Sequence, residues 1–107
     1  MDNPLISCIV PVFNGERFLA EALESILCQT YRPLEIIVTD DGSTDRSVDI
    51  VARYKSSVHY LRQSNEGPVA ARNRGLAAAS GHLVAFLDQD DLWHRGKLER
   101  RWLMTRS

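Results

Sequence analysis

Apolar residues follow two different patterns along the chain. Short runs rich in β-branched residues predict four strands, of which the third is the weakest, at Leu5–Phe13, Leu34–Thr39, Ser57–Gln63 and His82–Asp88. Between these runs, apolar residues recur at the spacing of a helix, with charged residues off the apolar stripe. Two amphipathic helices are therefore predicted, within residues 14–31 and 43–55, and an Ala-rich third helix is predicted within residues 69–80.

Polar and small residues set the expected limits of these helices. Asn14 is the predicted cap of the first helix, and Gly81 is the predicted stop of the third. One of the polar residues Ser43, Thr44 and Asp45 is expected to cap the second helix, after a tight turn at Gly42. The segment GKLERRWLM, residues 96–104, is expected to open a further helix.

The elements alternate as β-α-β-α-β-α-β, which is typical of a parallel sheet with helices on both faces. Because crossovers are right-handed, two arrangements of the sheet matter most, and in the doubly wound arrangement the strand order is 3-2-1-4. In such sheets, ligands bind at the carboxyl ends of the strands, where the strand order reverses. We therefore expect an α/β three-layer sandwich with a mostly parallel sheet and a crevice between the ends of strands 1 and 4.

Composition narrows the class of protein. A chain of 107 residues is enough for one small domain, and its net charge of -1 gives no electrostatic case for binding nucleic acid. No apolar run approaches the roughly 20 residues that span a bilayer, and the first residues lack the features of a signal peptide. Cys8 and Cys28 lie in apolar segments and are expected to be buried free thiols. These features indicate a cytoplasmic domain.

The fourth predicted strand runs into closely spaced carboxylates, Asp88, Asp90 and Asp91. Residues two apart on an extended chain point the same way, so Asp88 and Asp90 would share a face. Such a pair is tolerated when one group holds a proton or when a cation lies between them. Oxygen ligands without a nearby Cys or His cluster favour Mg²⁺ or Mn²⁺. The alternative is a solvated acidic turn that caps the next helix, and the DxD spacing alone does not exclude it.

A second acidic cluster, TDDGSTD at residues 39–45, stands at the end of the second predicted strand. Helix capping accounts for one polar residue there but not for Asp40 and Asp41 together. One of the two could accept hydrogen bonds from a base or a ribose in the crevice. Phe13, at the tip of the first strand, could lie against the face of a base, and plain core packing is an equally good interpretation.

Arg72 and Arg74 lie two apart, so they do not share a helical face. We expect Arg72 to reach the crevice, as a partner for the ligand or for the aspartates, and Arg74 to be solvated. The sequence contains no G-x-S-x-G, P-loop or G-x-G-x-x-G motif, and its histidines have no zinc-site spacing.

Four segments, in order and spacing, resemble the N-terminal half of a family 2 glycosyltransferase of the GT-A fold. They are SCIVPVFNGERFLAEALESILCQTY, EIIVTDDGSTDRSVDIV, NEGPVAARNRGLAAASGHLVAFLDQDD and the Trp that follows. The resemblance runs from about Ser7 to Leu98. It implies a Rossmann-like nucleotide-binding half of that fold, a nucleoside diphosphate sugar as donor, commonly UDP-linked, and a divalent metal, Mn²⁺ or Mg²⁺.

The resemblance also implies roles for single residues. The residues after strand 1 would frame the base, Asp41 would contact it, Asp90 would hold the metal, and Asp88 would contact the ribose or share the metal. With Arg72, the predicted nucleotide-sugar site comprises Pro11, Val12, Phe13, Asn14, Asp41, Arg72, Asp88, Gln89 and Asp90. Asp91 continues the family's DxDD form.

The implied reaction is metal-dependent transfer of a sugar to an acceptor hydroxyl with inversion. The general base and the acceptor region are expected beyond Ser107, so residues 1–107 would be a donor-binding portion that ends before them. A longer protein could then work at the inner membrane face. The edge of the fourth strand would be open, and we expect self-association through it.

Two other classes of function stay open at this stage. The chain could be a stand-alone module that binds a nucleotide or nucleotide sugar without turnover. A phosphoryl-transfer domain is the more distant alternative, because its nucleophilic carboxylate is expected directly after the first strand, where Val12 and Phe13 stand.

Overall fold

The computed structural model describes residues 3–88 and the short strand at 104–105. The elements, in chain order, are β1 (Ile6–Val12), α1 (Leu19–Leu27), β2 (Leu34–Asp40), α2 (Ser47–Ala52), β3 (Val58–Arg62), α3 (Pro68–Ala78), β4 (Leu83–Phe86) and β5 (Met104–Thr105). All four predicted strands and all three predicted helices up to residue 88 are present. Most of them are shorter than predicted by one or more residues.

The strands form one sheet with the order β3-β2-β1-β4-β5. β1 pairs in parallel with β2 on one side and with β4 on the other, and β2 pairs in parallel with β3. The predicted order 3-2-1-4 is therefore confirmed. Side chains of α1 cover one face of β1 and α3 packs on it as well, which explains why β1 is almost entirely apolar.

β5 corrects the prediction of an open edge. It pairs antiparallel with β4, so that Leu83 lies opposite Thr105 and Val84 opposite Met104. An unpaired edge leaves backbone donors and acceptors available to another chain, and this pairing covers part of that edge, where self-association was expected. The sequence had predicted Met104 to be the end of a helix, and this prediction was wrong, because Met104 lies in β5. The rest of that predicted helix lies outside the described residues.

The main core lies between the sheet and helices α1 and α2. One face of β1 contributes Ile6, Cys8, Val10 and Val12, and α1 contributes Leu19, Ala22, Leu23 and Ile26. Helix α3 packs on β1 and β2. It comes very close to the sheet at Gly75, where an added Cβ would lie 2.5 Å from Ile9 Cγ2 and 3.2 Å from Thr39 Cγ2. The position of α3 is therefore set by direct contact with the sheet.

Two predicted helix limits were wrong. Helix α1 begins at Leu19, five residues after the predicted cap Asn14, with Phe18 as its N-cap residue and no side-chain cap. Helix α3 ends at Ala78, before Gly81. A Cβ at residue 81 would lie 2.6 Å from Ser7 Oγ and 2.7 Å from Leu5 O. Gly81 is required by this close approach to the start of β1 and not by a helix end.

The two cysteines differ in environment. Cys8 is buried in β1, as predicted, and Cys28, expected to be buried as well, is exposed after the end of α1. Burial, with a further contribution from Glu35, raises the pKa of the Cys8 thiol to about 12. Cys8 is therefore a protonated core side chain.

No helix in the described part of the chain has both the length and the apolar character that crossing a bilayer requires.

Candidate functional site

A cavity of about 410 Å³ opens at the carboxyl ends of the parallel strands, in the region where the sequence predicted a crevice. The ends of β1, β2 and β4 and the start of α3 contribute to its wall. Its lining residues are Pro11, Val12, Phe13, Asp41, Asn65, Gly67, Pro68, Ala71, Arg72 and Asp88. The wall therefore combines apolar surface with two carboxylates and one guanidinium.

The cavity brings together six of the predicted site residues: Pro11, Val12, Phe13, Asp41, Arg72 and Asp88. Predicted site residues Gln89 and Asp90 lie outside the described residues. Asn14 is not among the lining residues, and its side chain is bonded to the loop after β2. Its predicted contact with a ligand stays a prediction.

Sequence reasoning missed the wall supplied by Asn65, Gly67, Pro68 and Ala71. A signal for part of it was present. The Gly-Pro pair at residues 67–68 is suited to the start of a helix, because proline there loses no helical hydrogen bond. In a doubly wound sheet, that start belongs at the carboxyl ends of the strands, beside the predicted crevice.

Asp41 lines the cavity and is held there by three hydrogen bonds from the chain. Its Oδ1 accepts hydrogen bonds from Gln63 Nε2 at 2.9 Å and Glu66 N at 2.7 Å, and its Oδ2 accepts one from Gly67 N at 2.9 Å. Burial on its own would raise the pKa of Asp41, but these hydrogen bonds outweigh it and hold the pKa below its ordinary value. Asp41 is therefore an ionised acceptor whose Oδ2 retains capacity for one further donor.

The neighbouring Asp40 has a different position. Its side chain is fully buried and accepts hydrogen bonds from Ser43 N at 2.8 Å, Tyr60 Oη at 2.6 Å and Arg62 Nη1 at 3.2 Å. Arg62 also donates to the carbonyl of Ser43 at 2.7 Å. Asp40 thus ties the turn after β2 to the end of β3, and Asp41 alone of the two lines the cavity.

The turn that carries these aspartates depends on Gly42, which adopts a φ of 84°. A Cβ there would also lie 3.1 Å from the backbone nitrogen of Asn65. After the turn, Asp45 Oδ1 accepts a hydrogen bond from the backbone nitrogen of Ser47, the first residue of α2. Asp45, one of the three predicted capping residues, therefore stabilises the start of this helix, although Arg46 occupies the N-cap position itself.

Phe13 is 43% exposed and lines the cavity, whereas its neighbour Val12 is 2% exposed. Of the two interpretations left open by the sequence, core packing is therefore the wrong one. Its ring offers an apolar face on the wall that also carries Asp41.

Arg72 and Asp88 form an ion pair across the cavity wall, with 3.5 Å between Arg72 Nη2 and Asp88 Oδ1. Their side chains are 42% and 58% exposed, so this pair is open to solvent and contributes little to stability. Arg74 is exposed on another part of α3, outside the cavity lining. The structure therefore places Arg72 beside the aspartate, as the sequence predicted.

The predicted metal site is only partly described. Asp88 presents an exposed carboxylate to the cavity, which is the ligand type that Mg²⁺ and Mn²⁺ prefer. Within residues 3–88, no three His, Cys, Asp or Glu side chains group closely enough to hold a metal ion. Asp88 fits a divalent ion as one ligand, and the second predicted ligand, Asp90, lies outside the described residues.

Comparison with known proteins gives a consistent result. The family model described as glycosyl transferase family 2 matches residues 7–103. An uncharacterized glycosyltransferase from Haemophilus influenzae is 43% identical over 105 residues, covering 94% of this chain and 42% of the relative.

Two solved structures share the fold of the chain. S. aureus TarS 1-349 in complex with UDP has a TM-score of 0.84 and 34% identity, covering 89% of this chain and 30% of that one. The mannosyltransferase PcManGT from Pyrobaculum calidifontis, in complex with GDP-Man and Mn²⁺, has a TM-score of 0.80 and 30% identity, covering 86% and 29%. The chain spans between 16% and 42% of the length of the first curated relatives it matches.

Proposed function

The chain belongs to glycosyl transferase family 2, and from that premise we propose that it is the donor-binding portion of a transferase. The donor is a nucleoside diphosphate sugar, and the full reaction moves its sugar to an acceptor hydroxyl. One observation carries this proposal. The cavity at the carboxyl ends of the strands combines an aromatic face at Phe13, an ionised carboxylate at Asp41 and a cation at Arg72. These are suited in turn to a base, its N–H groups and a phosphate.

We assign the base to the part of the cavity between Phe13 and Asp41. Phe13 offers a half-exposed ring for stacking, and Asp41 is an acceptor held in its charged form. A carboxylate accepts hydrogen bonds from the ring N–H of uracil and guanine and also from the amino groups of cytosine and adenine, so Asp41 alone does not select the base. The ligands of the two structural neighbours, UDP and GDP-Man, contain uracil and guanine, which favours these two bases.

We assign the diphosphate to the side of the cavity that holds Arg72 and Asp88. Arg72 supplies a positive charge there, and the ion pair with Asp88 keeps its guanidinium at the cavity wall. A divalent ion, Mn²⁺ or Mg²⁺, would be held by Asp88 together with Asp90, with Gln89 between them in the donor site. When bound, such an ion would offset the negative charge that develops on the departing diphosphate. The Mn²⁺ in the mannosyltransferase structure supports a metal in the family.

We propose that transfer proceeds with inversion. The acceptor oxygen bonds to the anomeric carbon as the bond from that carbon to the diphosphate breaks, and a general base takes the hydroxyl proton. Asp40, Asp41 and Asp45 are poor candidates for that base, because each accepts hydrogen bonds from the chain itself. The base is therefore sought outside residues 3–88.

Calorimetry with UDP, GDP, CDP and ADP, each with and without Mn²⁺, tests the donor assignment. We expect UDP or GDP to bind more tightly than CDP and ADP, because the ligands of the two structural neighbours carry uracil and guanine. Phe13→Ala is expected to weaken the preferred nucleotide about tenfold or more, since stacking on an aromatic ring contributes ~1–3 kcal/mol per base.

Phe18→Ala is the matched control, because Phe18 is equally 43% exposed and lies outside the cavity lining. Its affinity should stay within about twofold of the original, which is below half a kcal/mol. Absence of binding for all four nucleotides would overturn the proposal. Equal losses for the two phenylalanine variants would overturn the assignment of Phe13.

A further inference from the structure

Two loops at the site are joined by hydrogen bonds that run in both directions. The β1 loop is residues 14–16 and the β2 loop is residues 43–47. Backbone nitrogens of the β1 loop donate to side chains of the β2 loop: Asn14 N to Ser43 Oγ at 2.9 Å, Gly15 N to Ser47 Oγ at 2.9 Å and Glu16 N to Asp45 Oδ2 at 3.0 Å. In return, Asn14 Oδ1 accepts from Thr44 N at 2.8 Å and Asp45 N at 3.3 Å.

One of these contacts, together with a hydrogen bond between the ends of β1 and β2, encloses the cavity residues Phe13 and Asp41. The carbonyl of Val12 accepts a hydrogen bond from Asp41 N at 2.8 Å, and Asn14 N donates to Ser43 Oγ two residues further along both segments. Phe13 and Asp41 therefore lie inside a closed ring of backbone and hydrogen bonds. This closed loop of bonds restrains the distance between the backbones of Phe13 and Asp41, which carry the aromatic side chain and the carboxylate.

Asn14 has the two properties that this contact demands. Its φ is 49°, the left-handed region that asparagine, aspartate and glycine tolerate best among the common residues. Its side-chain oxygen reaches back to two backbone donors of the β2 loop. An amide oxygen has two lone pairs, so both are engaged within the protein. Aspartate at this position could provide both the left-handed φ and the acceptor oxygen, whereas glycine could provide only the left-handed φ.

We propose that Asn14 is a positioning residue: it holds the β2 loop against the β1 loop, sets the separation of Phe13 and Asp41, and does not itself contact the ligand. This inference rests on the proposed function for its effect on the nucleotide. Its effect on the loops does not depend on any ligand.

The ligand-free protein provides the first test. Amide hydrogen exchange, followed by NMR, should be about tenfold or more faster at Thr44 and Asp45 in Asn14→Gly than in the original protein. In Asn14→Asp, which keeps the acceptor oxygen, exchange should stay within about threefold. Asn3→Gly is the matched control, because exposed Asn3 also donates from its side chain to a backbone carbonyl, that of Arg32, and both residues lie before the amino ends of β1 and β2, opposite these loops. It should leave both amides unchanged.

The second test measures binding of uridine and of guanosine, which carry no phosphate charge that Asn14→Asp would repel. Asn14→Gly should weaken the nucleoside that binds by about tenfold, and Asn14→Asp should restore the affinity to within about threefold. A direct contact through the amide nitrogen predicts the opposite, because aspartate lacks that donor. Equal weakening in the two variants would therefore overturn the positioning role.

Ser43→Ala keeps the inference testable if Asn14→Gly does not fold. It removes the acceptor of Asn14 N without changing a left-handed residue, and it should weaken the nucleoside by a similar factor. Unchanged affinity in folded Ser43→Ala would count against the ring. If the original protein binds no nucleoside or nucleotide, the proposed function fails, while the exchange rates at Thr44 and Asp45 still decide whether Asn14 orders the loop.

Discussion

A carboxylate receives backbone hydrogen bonds at each end of the parallel sheet. At the amino ends, Glu35 Oε1 accepts hydrogen bonds from Ser7 Oγ and Ser80 N, each at 2.6 Å, and Ser7 Oγ in turn accepts one from Gly81 N at 2.8 Å. At the carboxyl ends, Asp41 accepts hydrogen bonds from one side chain and two backbone nitrogens. The hydrogen-bonding chemistry of the two ends is therefore similar.

The space around the two carboxylates is different. At the amino ends, the backbone of residues 5–7 leaves no room for even a methyl group on Gly81. At the carboxyl ends, a cavity of about 410 Å³ lies beside Asp41. The comparison teaches that a carboxylate with satisfied hydrogen bonds, half-buried like Glu35 or buried like Asp41, does not reveal by itself whether its role is structural or functional. The open volume next to it makes the difference.

The largest expected effect lies at the closed end. Gly81→Ala would place a Cβ within 2.8 Å of Ser7 Oγ, Leu5 O and Ser7 N, two of which are backbone atoms. We expect the free energy of unfolding to fall by about 3 kcal/mol, as in other overpacked sites, in urea titrations. Nucleotide affinity of the folded protein should stay within about twofold, a change below half a kcal/mol.

Ser80→Ala is the control for that change, because it alters an exposed side chain and keeps the backbone nitrogen that donates to Glu35. It should alter stability by less than about 0.5 kcal/mol. If Gly81→Ala left stability unchanged but impaired nucleotide binding, it would contradict the assignment of stability to the amino ends of the sheet and of binding to the carboxyl ends.

A smaller effect, on binding, is expected at the open end. Arg72→Gln removes the cavity's guanidinium, whose pair with Asp88 is exposed and weak. UDP or GDP binding should weaken roughly fivefold to tenfold, about 1 kcal/mol, while stability changes by less than about 0.5 kcal/mol. The loss should shrink as salt is added, because it is electrostatic.

Arg74→Gln is the matched control on the same helix, with an exposed side chain outside the cavity lining. Its UDP or GDP affinity should stay within about twofold by calorimetry. Equal losses in the two arginine variants would show that net charge, and not the position of Arg72, governs binding.

The smallest expected effect is a dependence of stability on pH. The pKa of Asp41 is lower in the folded chain than its ordinary value of about 4, so ionised Asp41 stabilises the fold above that pH. This contribution is lost as the pH falls through the ordinary pKa towards the folded one. The pKa of Asp45 is also lowered, since hydrogen bonds from Ser47 and Glu16 outweigh its burial, and it acts in the same direction.

Urea midpoints measured between about pH 6 and pH 3 test this dependence. Stability should decline below about pH 5 in the original protein, and less steeply in Asp41→Asn, which has already lost the carboxylate. Asp49→Asn, an exposed change on α2, should keep the original slope. A slope that Asp41→Asn leaves unaltered would mean that the hydrogen bonds to Asp41 do not stabilise the charged form.

Most of the fold could be predicted because its signals are local. The apolar run of β1 and the helical spacing around Leu19, Leu23 and Ile26 depend on burial of nearby side chains, which the sequence displays directly. The pairing of Met104 and Thr105 with β4 could not be predicted, because antiparallel pairing across a long separation leaves no local periodicity. Gly81 was misread for a similar reason. Its role depends on Leu5 and Ser7, more than 70 residues earlier.

The site was predictable in part. Phe13, Asp41 and Asp88 stand at strand ends, and parallel strands bring those ends to one edge, so their convergence follows from topology. Topology does not predict that Asp41 lines the cavity while Asp40 is buried. That difference arises because Tyr60 and Arg62 of β3 donate hydrogen bonds to Asp40. The engagement of Asn14 with the next loop was hidden in the same way, because its partners come from a different part of the chain.

The contact at Gly75 makes the cavity sensitive to the core. Helix α3 rests on Ile9 and Thr39 at that residue, and its first turn supplies Pro68 and Ala71 to the cavity wall. A side chain added at residue 75 would require either the side chains of Ile9 and Thr39 or the helix to shift. A shift of the helix would change the distance between the backbone nitrogen of Gly67 and Asp41, although no residue of the wall had been substituted.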